Sequence, residues 1–224
     1  QSSSRGLGDV YKRQRWAREH ADRLATMTDV ALHETDAAKW VARAREAYGC
    51  VAISYYPNSA DIAWMLDEER TPLWQAFVDS SLVCNLQVTP PNYSTLLALA
   101  QRYPSVRFLC NHLGLPSSLD PADVTYGGLD KAAALDNVFV KASAFYAAAD
   151  TSWDPRCARA LGYFTSLVNA LGAERILWGT DWPPTSRHLT YQQALEIVRA
   201  FAPTLDDAQR ARILGANAAH LLGI

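Results

Sequence analysis

From Arg15 onward, short and nearly continuous apolar runs alternate with stretches of helical spacing. Residues 24–32 read as a first strand, and Thr35 and Asp36 then cap a helix that ends by Gly49, with Ala38, Val41, Ala42 and Ala44 among its helix formers. Cys50, Val51, Ala52, Ile53, Ser54, Tyr55 and Tyr56 make a second strand, stopped at Pro57 and Asn58. A helix over 72–80 leads into a third strand at 82–88, stopped at Pro90 and Pro91. Ser94 caps a helix over 95–102, residues 106–112 form a fourth strand stopped at Gly114 and Pro116, and residues 129–135 are helical. A fifth strand at 138–142, a longer helix at 156–171 and a sixth strand beginning at Ile176 follow, and two helices over 191–201 and 205–222 complete the pattern.

Strands this continuously apolar are covered on both faces, and connections long enough for a crossover helix imply a parallel sheet. No linker composition divides the chain, so the pattern predicts a single α/β domain over 15–224, with six β/α units arranged either as a doubly wound sheet or as a β/α barrel. Residues 1–14 differ in character, with Ser2, Ser3, Ser4, Gly6 and Gly8 followed by Asp9-Val10-Tyr11-Lys12-Arg13-Gln14. That tract looks like translated sequencing adapter and reads as a non-native or disordered leader.

Most strands end in one polar group just before a turn residue: Tyr56 before Pro57, Gln87 before Pro90, His112 before Gly114, Ser143 after Lys141, and Asp181 before Pro183. Ligands bind at the carboxyl ends of parallel strands in both candidate architectures, so these groups are the candidate site. Imidazole and carboxylate are the two that exchange protons near neutral pH or bind zinc-type ions, which singles out His112 and Asp181. His20 precedes the first strand, His188 lies in a loop and His220 is on the last helix, so none of these adds a third ligand. Asp181 could equally cap a turn through its own side chain.

Composition narrows the partners. With 49% hydrophobic residues and a net charge of -2, the chain has ample material for a core and no basic field for nucleic acid or a membrane surface. A small-molecule substrate fits best, a homo-oligomer stays open, and the lack of a signal segment or membrane-length apolar run makes the cytoplasm the default location. Cys50, Cys84, Cys110 and Cys157 are widely spaced and read as buried thiols rather than disulfides or a zinc knuckle.

Three blocks carry a family resemblance: Phe108-Leu109-Cys110-Asn111-His112-Leu113-Gly114-Leu115-Pro116, Asn137-Val138-Phe139-Val140-Lys141-Ala142-Ser143, and Glu174-Arg175-Ile176-Leu177-Trp178-Gly179-Thr180-Asp181-Trp182-Pro183. They resemble the last three strands of the amidohydrolase-related (amidohydrolase 2) family, and Ile213-Leu214-Gly215-Ala216-Asn217-Ala218-Ala219-His220-Leu221-Leu222 resembles its C-terminal helix. The resemblance implies a TIM-type (β/α)8 barrel whose first strand carries a His-x-His pair, with His112 as a later-strand histidine and Asp181 as the aspartate of the eighth. The His-x-His pair is absent, so the expectation is an incomplete barrel, a fragment lacking the first two units. A complete barrel typically takes roughly 250 residues.

The family includes members that hold a divalent ion, zinc or similar, and members that need none. If a metal is bound, the resemblance makes His112 and Asp181 its ligands. Gln87 stands where metal-dependent members, notably the decarboxylases, place a further histidine, which favours the lactonase-like branch. The implied chemistry is attack of water on a lactone or ester-like carbonyl, with Asp181 as general base and His112 positioning or polarising the carbonyl. Tyr56, Gln87, Asn111, Lys141 and Arg187 are the candidate substrate contacts. The alternatives are a metal-dependent, non-oxidative decarboxylase of an aromatic acid and a catalytically silent fragment whose open sheet edges promote aggregation.

Overall fold

The computed structural model describes residues 15–17, 19–57, 60–151 and 153–224; the leader expected over 1–14 and the stop at Asn58 lie outside them. Six parallel strands, β1 (Met27–Asp29), β2 (Ala52–Tyr55), β3 (Val83–Leu86), β4 (Arg107–Cys110), β5 (Val138–Ala142) and β6 (Ile176–Trp178), form a sheet in which each lies beside its predecessor. A doubly wound sheet reverses its order at a switch point. Here the order never reverses, and right-handed crossovers then put every connection on one face, as in a barrel wall.

The two faces carry separate cores. Ile53, Cys84, Leu86, Phe108, Cys110, Val138, Val140 and Ile176 pack outward into the large cluster shared with the helices. These helices include α1 (Ala37–Glu46), α2 (Thr71–Ser80), α3 (Tyr93–Arg102), α4 (Ala158–Leu171) and α5 (Tyr191–Arg199). Ala52, Val83, Leu109 and Leu177 face the other way and form a smaller cluster with Leu221 and Phe139. Apolar packing on both faces is why these strands read as nearly continuous apolar runs. After α6 (Asp207–Ala211) and a π turn at Arg212–Ala216, α7 (Asn217–Leu222) closes the amino-terminal end of the sheet, where Arg107 donates to the carbonyls of Leu221 and Ser81.

Several expectations change. The strand expected over 24–32 shrinks to β1, which among the described residues pairs only with β2, and Leu24 and Met27 are exposed rather than core. Asp36 sits at the N-cap of α1 without capping it, because its carboxylate accepts the indole N–H of Trp40 at 2.8 Å. Ser94 lies inside α3, whose N-cap is Asn92, and Asn92 donates to the Ala60 carbonyl instead. Residues 129–134 belong to a 3-10 stretch, Tyr126–Ala134, broken where Gly127 and Gly128 take φ of +63° and +91°, and Leu135 just past it is extended. The helix expected over 205–222 is interrupted by the π turn, next to which Asn217 donates to the carbonyls of Ala173 and Ile176. All four cysteines are buried and free.

Asn137 ties the wall together before β5. Its amide shares two hydrogens among the carbonyls of Ala100, Tyr103 and Val106, at 3.0, 3.1 and 2.9 Å. Replacing Asn137 by Ala strands these buried acceptors and is expected to destabilise the fold by about 2 kcal/mol. The check is a lower urea midpoint at unchanged slope.

Candidate active site

The site lies where β4, β5 and β6 end. The Asn111 N–H continues the ladder to the Leu86 carbonyl at 2.8 Å, after which the chain turns through left-handed backbone at His112, Leu113, Gly114 and Leu115, with φ of +53°, +58°, +76° and +50°. Such angles are costly for residues with a Cβ and persist only where neighbours enforce them. Two buried tyrosines do so: Tyr93 donates to the Gly114 carbonyl and Tyr126 to that of Leu113, both at 2.6 Å. A Cβ at position 114 would strike the Tyr93 hydroxyl, which requires glycine there. Asp181, two residues past Gly179, also has a left-handed φ of +58°, and its carbonyl accepts the Thr185 N–H at 3.1 Å.

These turns bring the two principal candidates together. His112 Nε2 lies 3.8 Å from Asp181 Oδ1, and His112 Nδ1 lies 2.9 Å from the Ser143 hydroxyl at the end of β5. The other carboxylate oxygen, Asp181 Oδ2, accepts a 2.8 Å hydrogen bond from Tyr146, on the turn Phe145–Ala148. The Tyr146 ring stacks on His188 with centroids 4.5 Å apart and planes at 15°.

Burial sets the charge states. It pulls His112 down to about 4, with the Asp181 carboxylate opposing and the Lys141 ammonium adding to the shift. Lys141 is pulled down to about 8, again by burial, with Asp181 opposing. Burial, then the hydrogen bond to Asp181, raises the Tyr146 phenol above its ordinary value. His112 therefore binds its proton near 4 in the folded chain against 6.5 when free, so the unfolded chain takes up more protons between those values. Stability falls as the medium is acidified across that window. The variant His112→Gln is expected to flatten this part of a melting-temperature profile against pH.

Strand register places the weaker candidates. Cys110 pairs with Leu86 on one side and Val140 on the other, so the next row sets Gln87, Asn111 and Lys141 side by side. This row lies on the barrel-interior face, because Leu109 and Phe139, one inward position earlier, pack with Leu177 and Leu221. Tyr55 pairs with Leu86, so Tyr56 extends the row on β2, where it is exposed. Asn111 is fully buried with neither amide atom bonded, and the side-chain oxygen of buried Asn85 is likewise unpaired. The Lys141 stem lies close beside Gly179, where a Cβ would come 3.4 Å from its Cδ. Arg187 stands apart from the row, exposed on the turn Pro184–Arg187, and its charge reaches Tyr146.

Tyr146 escapes the sequence pattern, since nothing in its spacing distinguishes it from the other tyrosines beyond following the strand-end Ser143. His188, set aside as a loop residue, adjoins the site through Tyr146. His33, passed over in the sequence, lies 3.2 Å from the Tyr55 hydroxyl through its Nδ1.

Among the described residues no group of three or more His, Cys, Asp or Glu side chains could hold a metal ion. His112 and Asp181 supply two donors, short of the three protein ligands a catalytic zinc needs. The described residues do not fit a divalent-ion site by themselves, and no step below is routed through one. Among the same residues no helix is long and apolar enough to cross a membrane.

Comparison with known proteins places this geometry in context. Residues 12–224 match the model of a family described as amidohydrolase. An L-fucono-1,5-lactonase of Burkholderia ambifaria is 29% identical over 171 residues, covering 74% of this chain. The chain spans 58% of the length of that relative. Among solved structures, an amidohydrolase from Burkholderia multivorans with bound HEPES superposes with a TM-score of 0.79 at 20% identity, covering 98% of this chain and 80% of that one. A second crystal form of that description holds zinc and superposes at 0.77 with 18% identity. The 5-carboxyvanillate decarboxylase of Sphingomonas paucimobilis superposes at 0.66 with 16% identity, covering 96% of this chain and 71% of that one.

Proposed function

The chain belongs to the amidohydrolase family, and on that footing we propose that it is a lactonase-like hydrolase, in which water attacks a lactone or ester-like carbonyl. The observation that carries this reading is the Asp181 carboxylate, held at the rim by Tyr146 through one oxygen while the other faces His112 Nε2 across 3.8 Å. In this reading Asp181 takes a proton from the attacking water. The Ser143 hydroxyl, 2.9 Å away, is in this reading the donor to His112 Nδ1, so that Nε2 bears the hydrogen. A neutral imidazole so oriented polarises the carbonyl oxygen without competing for the water's proton.

The interior row supplies substrate contacts. Gln87 and Asn111 each offer a donor and an acceptor, which suits hydroxyl groups on a ring, and Lys141 and Arg187 suit a carboxylate. The similarity to an L-fucono-1,5-lactonase supports lactones as the first class to test. A protein carrying these residues, given a panel of aldono-1,4- and 1,5-lactones, is expected to release acid with saturable kinetics in a pH-indicator assay. Carbon dioxide release from aromatic acids with no acid release from any lactone overturns the reading in favour of decarboxylation, and silence towards both leaves it without a reaction.

A further inference from the structure

The lactone reading leaves one transfer unassigned: after Asp181 has taken a proton from water, a general acid must still deliver one to the alkoxide expelled from the opened ring. The geometry points to Tyr146 as that general acid, passing its phenolic hydrogen to the ring oxygen and taking in exchange the proton that Asp181 has removed from water. This rests on the hydrolytic reading above. The phenol donates to Asp181 Oδ2 at 2.8 Å, while Oδ1 faces His112 and is the oxygen left to meet water, so the two oxygens of one carboxylate face the two ends of the reaction. Stacking on His188 at 4.5 Å between centroids fixes the Tyr146 ring, so the hydroxyl stays in place without help from substrate.

The step balances. Water loses one hydrogen to Asp181 and its oxygen bonds to the acyl carbon. The bond from acyl carbon to ring oxygen breaks, its electron pair stays on the ring oxygen, and that oxygen takes the Tyr146 hydrogen. Tyr146 then recovers the proton from Asp181, and the product is the hydroxy acid, one water heavier than the lactone. The carbonyl-polarising role stays with His112, and no oxidant, reductant or further reactant is required.

The test is Tyr146→Phe, which keeps the ring that stacks on His188 and removes only the hydroxyl. Its kcat on an aldono-1,5-lactone is expected to fall by about 100-fold or more, with KM within about threefold of the parent. On the thiolactone of the same ring, whose thiolate departs without a proton, the loss is expected to stay within about fivefold. As a second measurement on the lactone alone, imidazolium buffer is expected to restore part of the kcat of Tyr146→Phe and to leave the parent unchanged. Equal losses on lactone and thiolactone, without rescue by buffer, reduce Tyr146 to a strut for Asp181 and overturn the proposal, as does full activity in the variant. The hydrolytic reading survives those results, because the unsubstituted protein still opens lactones; only its failure to do so overturns both.

Discussion

Asp181→Asn is expected to lower lactone turnover by about 1,000-fold or more, since general-base catalysis alone contributes roughly 10²–10⁴-fold and the same carboxylate serves the proton's return. The substitution keeps the volume of the side chain and an oxygen able to accept from Tyr146, whose 2.8 Å bond anchors it. Its left-handed backbone, φ +58°, is one that Asn tolerates as well as Asp does. The fold is therefore expected to survive. A smaller effect follows from Lys141, which is already pulled down by burial and loses the charge that opposes this. Asp181→Ala removes both the base and the acceptor for Tyr146, yet should cost little more in kcat than Asp181→Asn if proton abstraction is the dominant role. Lactone progress curves for the two variants, with melting temperatures alongside, check this. An Asn variant that keeps more than about a tenth of the parent kcat removes Asp181 from the role of base.

What could be read from the sequence follows from how each residue is satisfied. β3 and β4 are legible because nearly all their residues are buried, on both faces, which favours a nearly continuous apolar run, and β5 because its outward face is buried and its inward face half-buried. β1 is not, because among the described residues no strand lies beside its outer edge, and Leu24 before it and Met27 at its start stay exposed. Asp36 and Ser94 carry the residue types that cap helices, but caps are decided by competing partners, and Trp40 takes Asp36. Thr190 and Gln193 do form a reciprocal capping box at α5.

The site divides along similar lines. His112 and Asp181 stand out because each is a single chemically capable group between an apolar run and a turn residue. Gln87, Asn111 and Lys141 are visible one by one as strand-end residues, whereas their adjacency appears only when register is known, because a slip by one residue would turn each to the other face. The Tyr146 partnership with Asp181 spans 35 residues and depends on two separate turns meeting. No local pattern encodes that. The π turn before α7 is equally silent, since its sequence is an ordinary helical one and the widening is set by what Asn217 reaches in the wall.

Trp74→Ala is expected to have the largest effect on stability, about 3–5 kcal/mol by the usual cost of emptying a buried aromatic site. Trp74 is fully buried on α2 and packs against three rings, Phe77, Tyr103 and Phe108, with centroids 5.7, 5.5 and 5.6 Å away. Those rings come from α2 itself, from the end of α3 and from β4, so the cavity would open between the helix layer and the strand that leads to His112. The indole N–H also donates to the Met65 carbonyl at 2.9 Å, and that buried acceptor would be left bare. Collapse into the space is resisted because each surrounding ring is fixed by its own helix or strand, which places the expected cost towards the upper end of the range. For a chain of this size the loss corresponds to a fall in melting temperature of roughly 6–20 °C, and Trp74→Phe, which refills most of the volume but leaves Met65 unpaired, should fall between parent and Ala variant. Urea midpoints for the three proteins separate the contributions: a Phe variant as unstable as the Ala variant assigns the cost to the hydrogen bond, and one close to the parent assigns it to packing.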